Sequence, residues 1–404
     1  MKMSRAGVTF AVFLGALAAL PPIATDMALP ALTRIGDALH STQSLAGMTL
    51  SLFMAGFALS PFFYGPLSDR HGRRPLLVVG LVLFALGGVL ATVAPNMTVL
   101  LIARLLQGLG AGAGMTLAMA MVRDSFEGRT AQSRLAVITV VANMAPMVAP
   151  ALGVAVLAAM GWRAIYAINA VSGVLLLVMA WLGLEETVAP VPNPAKASSL
   201  IQDYREALSH RSVRDHLLIN ALGFGWMFGY VAGSPVVLIE HLHASTTLYS
   251  ILFACTGGGI VAGASLSGWL GQRGVAPQRL IQCGVILAVL VTGAAVVMSL
   301  TATATLVTLM PCLVLATAAF GILAPCAAQG ALEPLPALAG VTGGLLTSIQ
   351  MFAGALASLL VSLLLPPLGI LGMTATMAGF ALLTLLLVLG LARATAAEAA
   401  PMET

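Results

Sequence analysis

Two ionisable side chains stand deep inside apolar runs of this 404-residue sequence: Asp26 in "LGALAALPPIATDMALPAL" and Arg104 in "TVLLIARLLQGLG". A charge surrounded by hydrocarbon is costly, so each marks a path for protons or substrate. Burial disfavours ionisation of the carboxyl group and a neighbouring guanidinium favours it, so small movements can switch the protonation of Asp26. A third charged group, "GPLSDRHGRRP" from Gly65 to Pro75, packs an acid and three arginines into one turn. Gly65 and Gly72 permit close backbone approach, and Asp69 is placed to pair with Arg73 or with Arg123. Arg70 and Arg74 complete the turn, which reads as a charged latch that forms in one state of a moving protein and opens in another. Simple orienting charge would account for the arginines but not for the embedded Asp69.

The elements that position these groups are membrane helices. With 59% hydrophobic and 8% charged residues, the chain lacks the roughly 25% charge with which soluble domains cover their surface. Its apolar runs are about twenty residues long, enough to cross ~30 Å of hydrocarbon. Spans are predicted near 7–32, 44–67, 75–94, 98–121, 132–159 and 163–184, and again near 215–239, 246–270, 279–300, 304–327, 340–365 and 369–391. The fold class is therefore an all-α polytopic membrane protein of about twelve spanning helices. Residues 1–186 form a six-helix N-terminal half, 187–214 a linker, 215–392 a six-helix C-terminal half and 393–404 a tail. Lys2 and Arg5 ahead of an apolar run resemble a signal peptide, but the run passes residue 30 and is read as an uncleaved first helix.

Fifteen of the eighteen Lys and Arg residues fall on one side of these spans, Arg34 and Arg163 on the other, and Arg104 within one. That bias puts both termini and the linker in the cytoplasm, and accounts for the net charge of +4 without a nucleic-acid partner. In this orientation Asp26 lies ~28 Å along the first helix and Arg104 ~9 Å down the fourth, similar depths at which the two can pair. The segment "GWLGQRG" after the eighth span repeats the Gly and Arg spacing of "GPLSDRHGRRP", with Gln272 in place of Asp69, as a duplicated half would.

The latch resembles the signature G-x-x-x-D-R-x-G-R-R of the major facilitator superfamily. "RLLQGLGAG" from Arg104 is similar to that superfamily's fourth-helix motif, and "APMVAPALG" to the fifth-helix motif of exporters, although Ala149 and Val154 stand where Gly is general. "DMALPAL" and "MVRDSF" resemble the Bcr/CflA group of drug and proton antiporters, which usually has Tyr where this chain has Ala28. The resemblance implies the major facilitator fold and a multi-pass protein of the bacterial inner membrane. It also implies export of small amphiphilic drugs, of the chloramphenicol, bicyclomycin or sulfonamide kind, against inward proton movement. Asp26 and Arg104 would couple the proton. No cofactor or metal is expected, only a drug substrate, protons, the lipid bilayer and a monomeric carrier.

The drug site is less legible. Gln107, Asn143, Asn220 and Gln350 supply amides within spans, and Phe53, Phe224, Trp226 and Tyr230 supply aromatic faces; helix packing is the competing role for each. Pro146, Pro150 and Gly153 predict a bend in the fifth span. Glu185 and Glu186 read as interface anchors at a helix end. No H-E-x-x-H, P-loop or paired intramembrane aspartates are present, the six histidines lie in loops or at span ends, and the four cysteines have no metal-ligand spacing. An uptake symporter or facilitator would share nearly every feature, and the direction of transport separates the two readings.

Overall fold

Apolar runs of twenty to thirty residues with few internal breakers form helices because lipid offers the backbone no other hydrogen-bond partners. The computed structural model describes residues 3, 7–126, 128–187, 200–335 and 338–399, and among these every regular element is helical. The helices are α1 (Val8–Asp26), α2 (Leu32–Ala38), α3 (Gln43–His71), α4 (Arg73–Thr92), α5 (Met97–Ser125), α6 (Gly128–Met160) and α7 (Trp162–Gly183). They continue with α8 (Leu200–Ser209), α9 (Arg211–Pro235), α10 (Thr246–Gln272), α11 (Pro277–Leu300), α12 (Leu306–Leu332), α13 (Ala339–Leu368) and α14 (Ile370–Ala399). Eleven described helical stretches are long and apolar enough to cross a membrane, and Met144–Met160 of α6 adds a shorter apolar one. On α7, Val171, Val174, Leu175, Val178 and Leu182 are exposed while Gly173, Leu176 and Ala180 are buried. An outward apolar stripe of that kind belongs against lipid.

The chain groups into two compact units. One comprises Met1–Tyr204 with Leu238–Ala254, the other Arg205–Val237 with Cys255–Thr404. Within the first unit Gln43 at the start of α3 donates to Glu240 at 2.5 Å. There α1 packs on α5, α6 and α7, and α4 on α5 and α7. Inside the second unit α9 packs on α12, α13 and α14, and α11 on α12 and α14. The same pairings thus recur at corresponding places along each half. Glycines set the closest of them: a Cβ at Gly108 on α5 would strike the Phe53 backbone on α3, and one at Gly321 on α12 would strike the Ile260 backbone on α10.

The first span departs from the continuous helix predicted over 7–32. It stops as α-helix at Asp26, passes through a short 3-10 turn at Leu29–Ala31, and resumes as α2. Pro30 lies four residues beyond Asp26 and has no N–H to offer its carbonyl, so the helical ladder loses a bond where the break occurs. The linker segment 188–199 lies outside the described residues. Its continuation "LIQDYREALS" forms α8, where Tyr204 packs its ring on Phe62 of α3 with centroids 5.8 Å apart.

Candidate functional site

The break in α1 leaves Asp26 only 5% exposed. The Thr25 hydroxyl lies 2.9 Å from its Oδ1, and also 3.1 Å from the carbonyls of Pro21 and Pro22. Helix α6 crosses against this break: a Cβ at Gly153 would overlap the carbonyl of Met27, so only glycine lets the two backbones come this close. Pro146 and Pro150 sit upstream in α6, which runs as one helix through both. Of the three fifth-span residues, Gly153 is the one that meets the carboxyl-bearing turn.

Arg104 on α5 is fully buried, and its charge interacts electrostatically with Asp26 and with Tyr166. The predicted direct pairing with Asp26 is not made in this conformation: among the described ion pairs none joins them. Instead Arg104 Nη1 donates to Gln107 Oε1 at 2.5 Å, one turn along the same helix. The guanidinium lies 4.3 Å from the Phe53 ring centroid and 5.6 Å from that of Tyr166 on α7. Aromatic faces and an amide thus stand where a carboxylate was expected, and they hold the cation without neutralising it. Phe53 and Gln107, expected as substrate contacts, are the residues that seat Arg104. The Asn143 side chain lies outside the described ones.

Several buried polar atoms of Arg104 and its neighbours have no partner: its own Nε, Gln107 Nε2 and the Tyr166 hydroxyl, and, one turn beyond Tyr166 on α7, both polar side-chain atoms of Asn169. Tyr166 and Asn169 escaped the reading of the sequence. The available signal was a Tyr and an amide three residues apart in the sixth span, which shares one helical face.

At the α3–α4 turn the charges are paired. Arg73 is 9% exposed. It holds Asp69 at 2.5 Å, Asp124 of α5 at 2.9 Å and the Ser68 hydroxyl at 2.5 Å. The expected α5 partner Arg123 is exposed and joins no described ion pair; its neighbour Asp124 takes that place and also accepts from the Thr187 hydroxyl at 3.3 Å. Of the two partners expected for Asp69, Arg73 is the one it meets, and Arg73 draws on α5 through Asp124, the acid that faces it. Glu186, expected as an interface anchor, instead caps α4: its carboxylate accepts from the backbone N–H of Arg73 at 2.8 Å and of Arg74 at 3.2 Å. An acid at a helix N-terminus satisfies orphan donors and meets the positive end of the helix dipole. Gly72 adopts φ 94°, open to glycine, and a Cβ there would overlap the Glu186 carboxylate. Arg74 donates to the Trp181 carbonyl at 2.6 Å, Arg70 is exposed, and Gly65 has open space where a Cβ would go, so no close approach requires it.

In the second unit Asn220 of α9 donates to Gln350 of α13 at 3.1 Å. Phe224 stacks on Phe228 at 5.3 Å and meets Phe320 edge-on at 5.8 Å. Trp226 donates its indole N–H to the Ala316 carbonyl at 3.0 Å and so ties α9 to α12, while Tyr230 accepts from the Thr256 hydroxyl at 3.0 Å. Asn220, Phe224 and Phe228 thus share α9 with the two structural contacts of Trp226 and Tyr230, while Gln350 reaches them from α13 and Phe320 from α12.

A family model described as Major Facilitator Superfamily matches residues 12–358. The chain belongs to the Major Facilitator Superfamily. It is thus a multi-pass membrane transporter with small-molecule substrates. Among similar superfamily proteins, the uncharacterized MFS-type transporter YdgK of Bacillus subtilis is 31% identical over 360 residues, covering 88% of this chain and 89% of that protein. The multidrug resistance protein MdtL of Escherichia fergusonii is 30% identical over 243 residues, or 60% of this chain and 61% of that protein. A crystal structure of the human organic anion transporter MFSD10 superposes with a TM-score of 0.64 over 94% of this chain and 98% of that one, at 19% identity, which speaks to the fold alone.

Proposed function

We propose that this transporter exports small amphiphilic drugs in exchange for protons, as a monomer in the bacterial inner membrane with both termini in the cytoplasm. Likeness to a multidrug resistance protein over 243 residues and the sequence motifs shared with the Bcr/CflA antiporters support export. The observation that carries proton coupling is Asp26: a carboxyl buried at a helix break, felt by the Arg104 charge but not locked to it. A locked ion pair would resist protonation, whereas this buried carboxyl meets the Thr25 hydroxyl and no cation among the described ion pairs.

In the proposed cycle Asp26 takes a proton from the periplasmic side as drug leaves, and yields it on the cytoplasmic side as drug binds. Drug and proton then compete through one conformational equilibrium that both bias. The Arg73 cluster serves as the cytoplasmic latch, intact in one state and parted in the other. No cofactor enters the cycle; the proton gradient drives it.

The test is drug accumulation in inside-out membrane vesicles bearing the protein, with a pH gradient imposed acid inside. Accumulation that a protonophore abolishes is the expected result. Accumulation that proceeds only down the drug gradient, or drug movement in the same direction as the proton, would replace export by the uptake reading.

A further inference from the structure

The Arg104 neighbourhood contains more hydrogen-bond donors than it uses. Arg104 spends Nη1 on Gln107 and leaves Nε without a partner; Gln107 spends its oxygen and leaves its NH2 group. The Tyr166 hydroxyl and the Asn169 amide add two more unpartnered groups from α7, and all four side chains are at most 1% exposed. Leaving a buried polar group unsatisfied forfeits its hydration with nothing in return, and native structures seldom keep such a group without reason. Gln107 and Tyr166 meet the Arg104 guanidinium, and Asn169 stands one turn along α7 from Tyr166; four such residues on two helices make a built feature.

The unspent groups are mostly donors. Arg104 Nε, Gln107 Nε2 and Asn169 Nδ2 can only donate and the Tyr166 hydroxyl can donate, against the single pure acceptor Asn169 Oδ1. Phe53 and Tyr166 cover the guanidinium with their rings, and Gln107 occupies Nη1, so the edge carrying Nε is the one left to bind. A guanidinium edge presents parallel N–H groups that match two oxygens on one atom. Tyr166 and Asn169 lie one turn apart on a single face of α7.

We propose that Tyr166 and Asn169, with the donors that Arg104 and Gln107 leave unspent, form a subsite for a substrate group bearing two oxygens on one atom: nitro, carboxylate or sulfonyl. The inference rests on the proposed export of small amphiphiles and names the part of such a molecule that this face would recognise. Tyr166 and Asn169 set substrate preference, while Phe53 holds the cation in register. Substrates without an acceptor group would gain nothing from the subsite.

The experiment measures binding to the full-length protein in detergent with two probes: chloramphenicol, which carries a nitro group and an amide carbonyl, and tetraphenylphosphonium, which has no hydrogen-bond acceptor. Tyr166→Phe keeps the ring over Arg104 and removes only the hydroxyl. It should weaken chloramphenicol binding about five- to tenfold, the loss of one good hydrogen bond, and leave tetraphenylphosphonium unchanged. Asn169→Ala should act in the same direction. The unfolding temperature of ligand-free Tyr166→Phe should stay level or rise, because the hydroxyl has no partner to lose; a structural hydroxyl would lower it. Chloramphenicol affinity equal in wild type and Tyr166→Phe, equal weakening of both probes, or a drop in ligand-free unfolding temperature without a change in affinity would each overturn the subsite. Vesicle accumulation reads export separately: wild-type binding that depends on Tyr166, without proton-driven accumulation, would sink the export reading and leave the subsite standing.

Discussion

The α3–α4 turn and the Arg104 cluster place one arginine each in a largely buried setting, and they treat it in opposite ways. Arg73 meets two carboxylates and a serine hydroxyl. Arg104 meets two aromatic rings and an amide, and keeps Nε unpaired. A saturated cation has no capacity for a ligand and holds elements together. One packed against ring faces stays charged and retains donors for something that arrives. The difference separates a mechanical charge cluster from a chemical one, although both came from arginines in an otherwise apolar chain.

The contrast breaks most sharply at Arg73. Arg73→Ala leaves Asp124 and Asp69 without their cation, and since both carboxylates reach solvent a stability loss of about 1.5–3 kcal/mol is expected, that of charged hydrogen bonds. The midpoint of denaturant unfolding in detergent checks it; an unchanged midpoint would mean that the cluster carries no structural load. Arg104→Lys keeps the charge but loses the planar stacking and the fork. Drug affinity should fall about tenfold with little change in unfolding midpoint, because the ring contacts are worth little to the fold and much to orientation. A drop in stability matching that of Arg73→Ala would erase the distinction between the two sites.

Glu186→Gln sharpens the account of the turn. The amide retains one acceptor for the α4 N-terminus but forfeits the charge, so a loss of about 1 kcal/mol is expected, read from the same unfolding midpoints. Arg70→Ala should change stability by no more than about 0.5 kcal/mol, as an exposed residue outside the described ion pairs would. If Arg70→Ala instead matched Arg73→Ala, the signature arginines would act as a group and not through one buried member.

Most of the architecture was legible from the chain, because spans in lipid follow from run length and charge alone. Asp26 and Arg104 also stood out, since charges in apolar runs are rare by physical necessity. Their partners did not. Whether Arg104 meets Asp26 on another helix or Gln107 on its own depends on side-chain placement across helices, which the sequence does not carry, and α1 stops at Asp26 where the run length alone predicted a continuous span. Asp124 was hidden beside Arg123, where neighbouring positions on a helix face different ways. Glu186 was hidden because a cap depends on where a chain end returns, 113 residues from the Arg73 N–H it binds. Tyr166 and Asn169 left only a faint signal, their three-residue spacing in the sixth span, because what marks them is the lack of a partner, a property that only three dimensions display.

The central claim is that Asp26 is the carboxyl that exchanges proton for drug. Its most direct test is proton release from purified protein in weakly buffered detergent solution with a pH indicator, on adding chloramphenicol to wild type and to Asp26→Asn. The account predicts release on drug binding by wild type and none by Asp26→Asn. Drug binding by Asp26→Asn with proton release equal to wild type would contradict it.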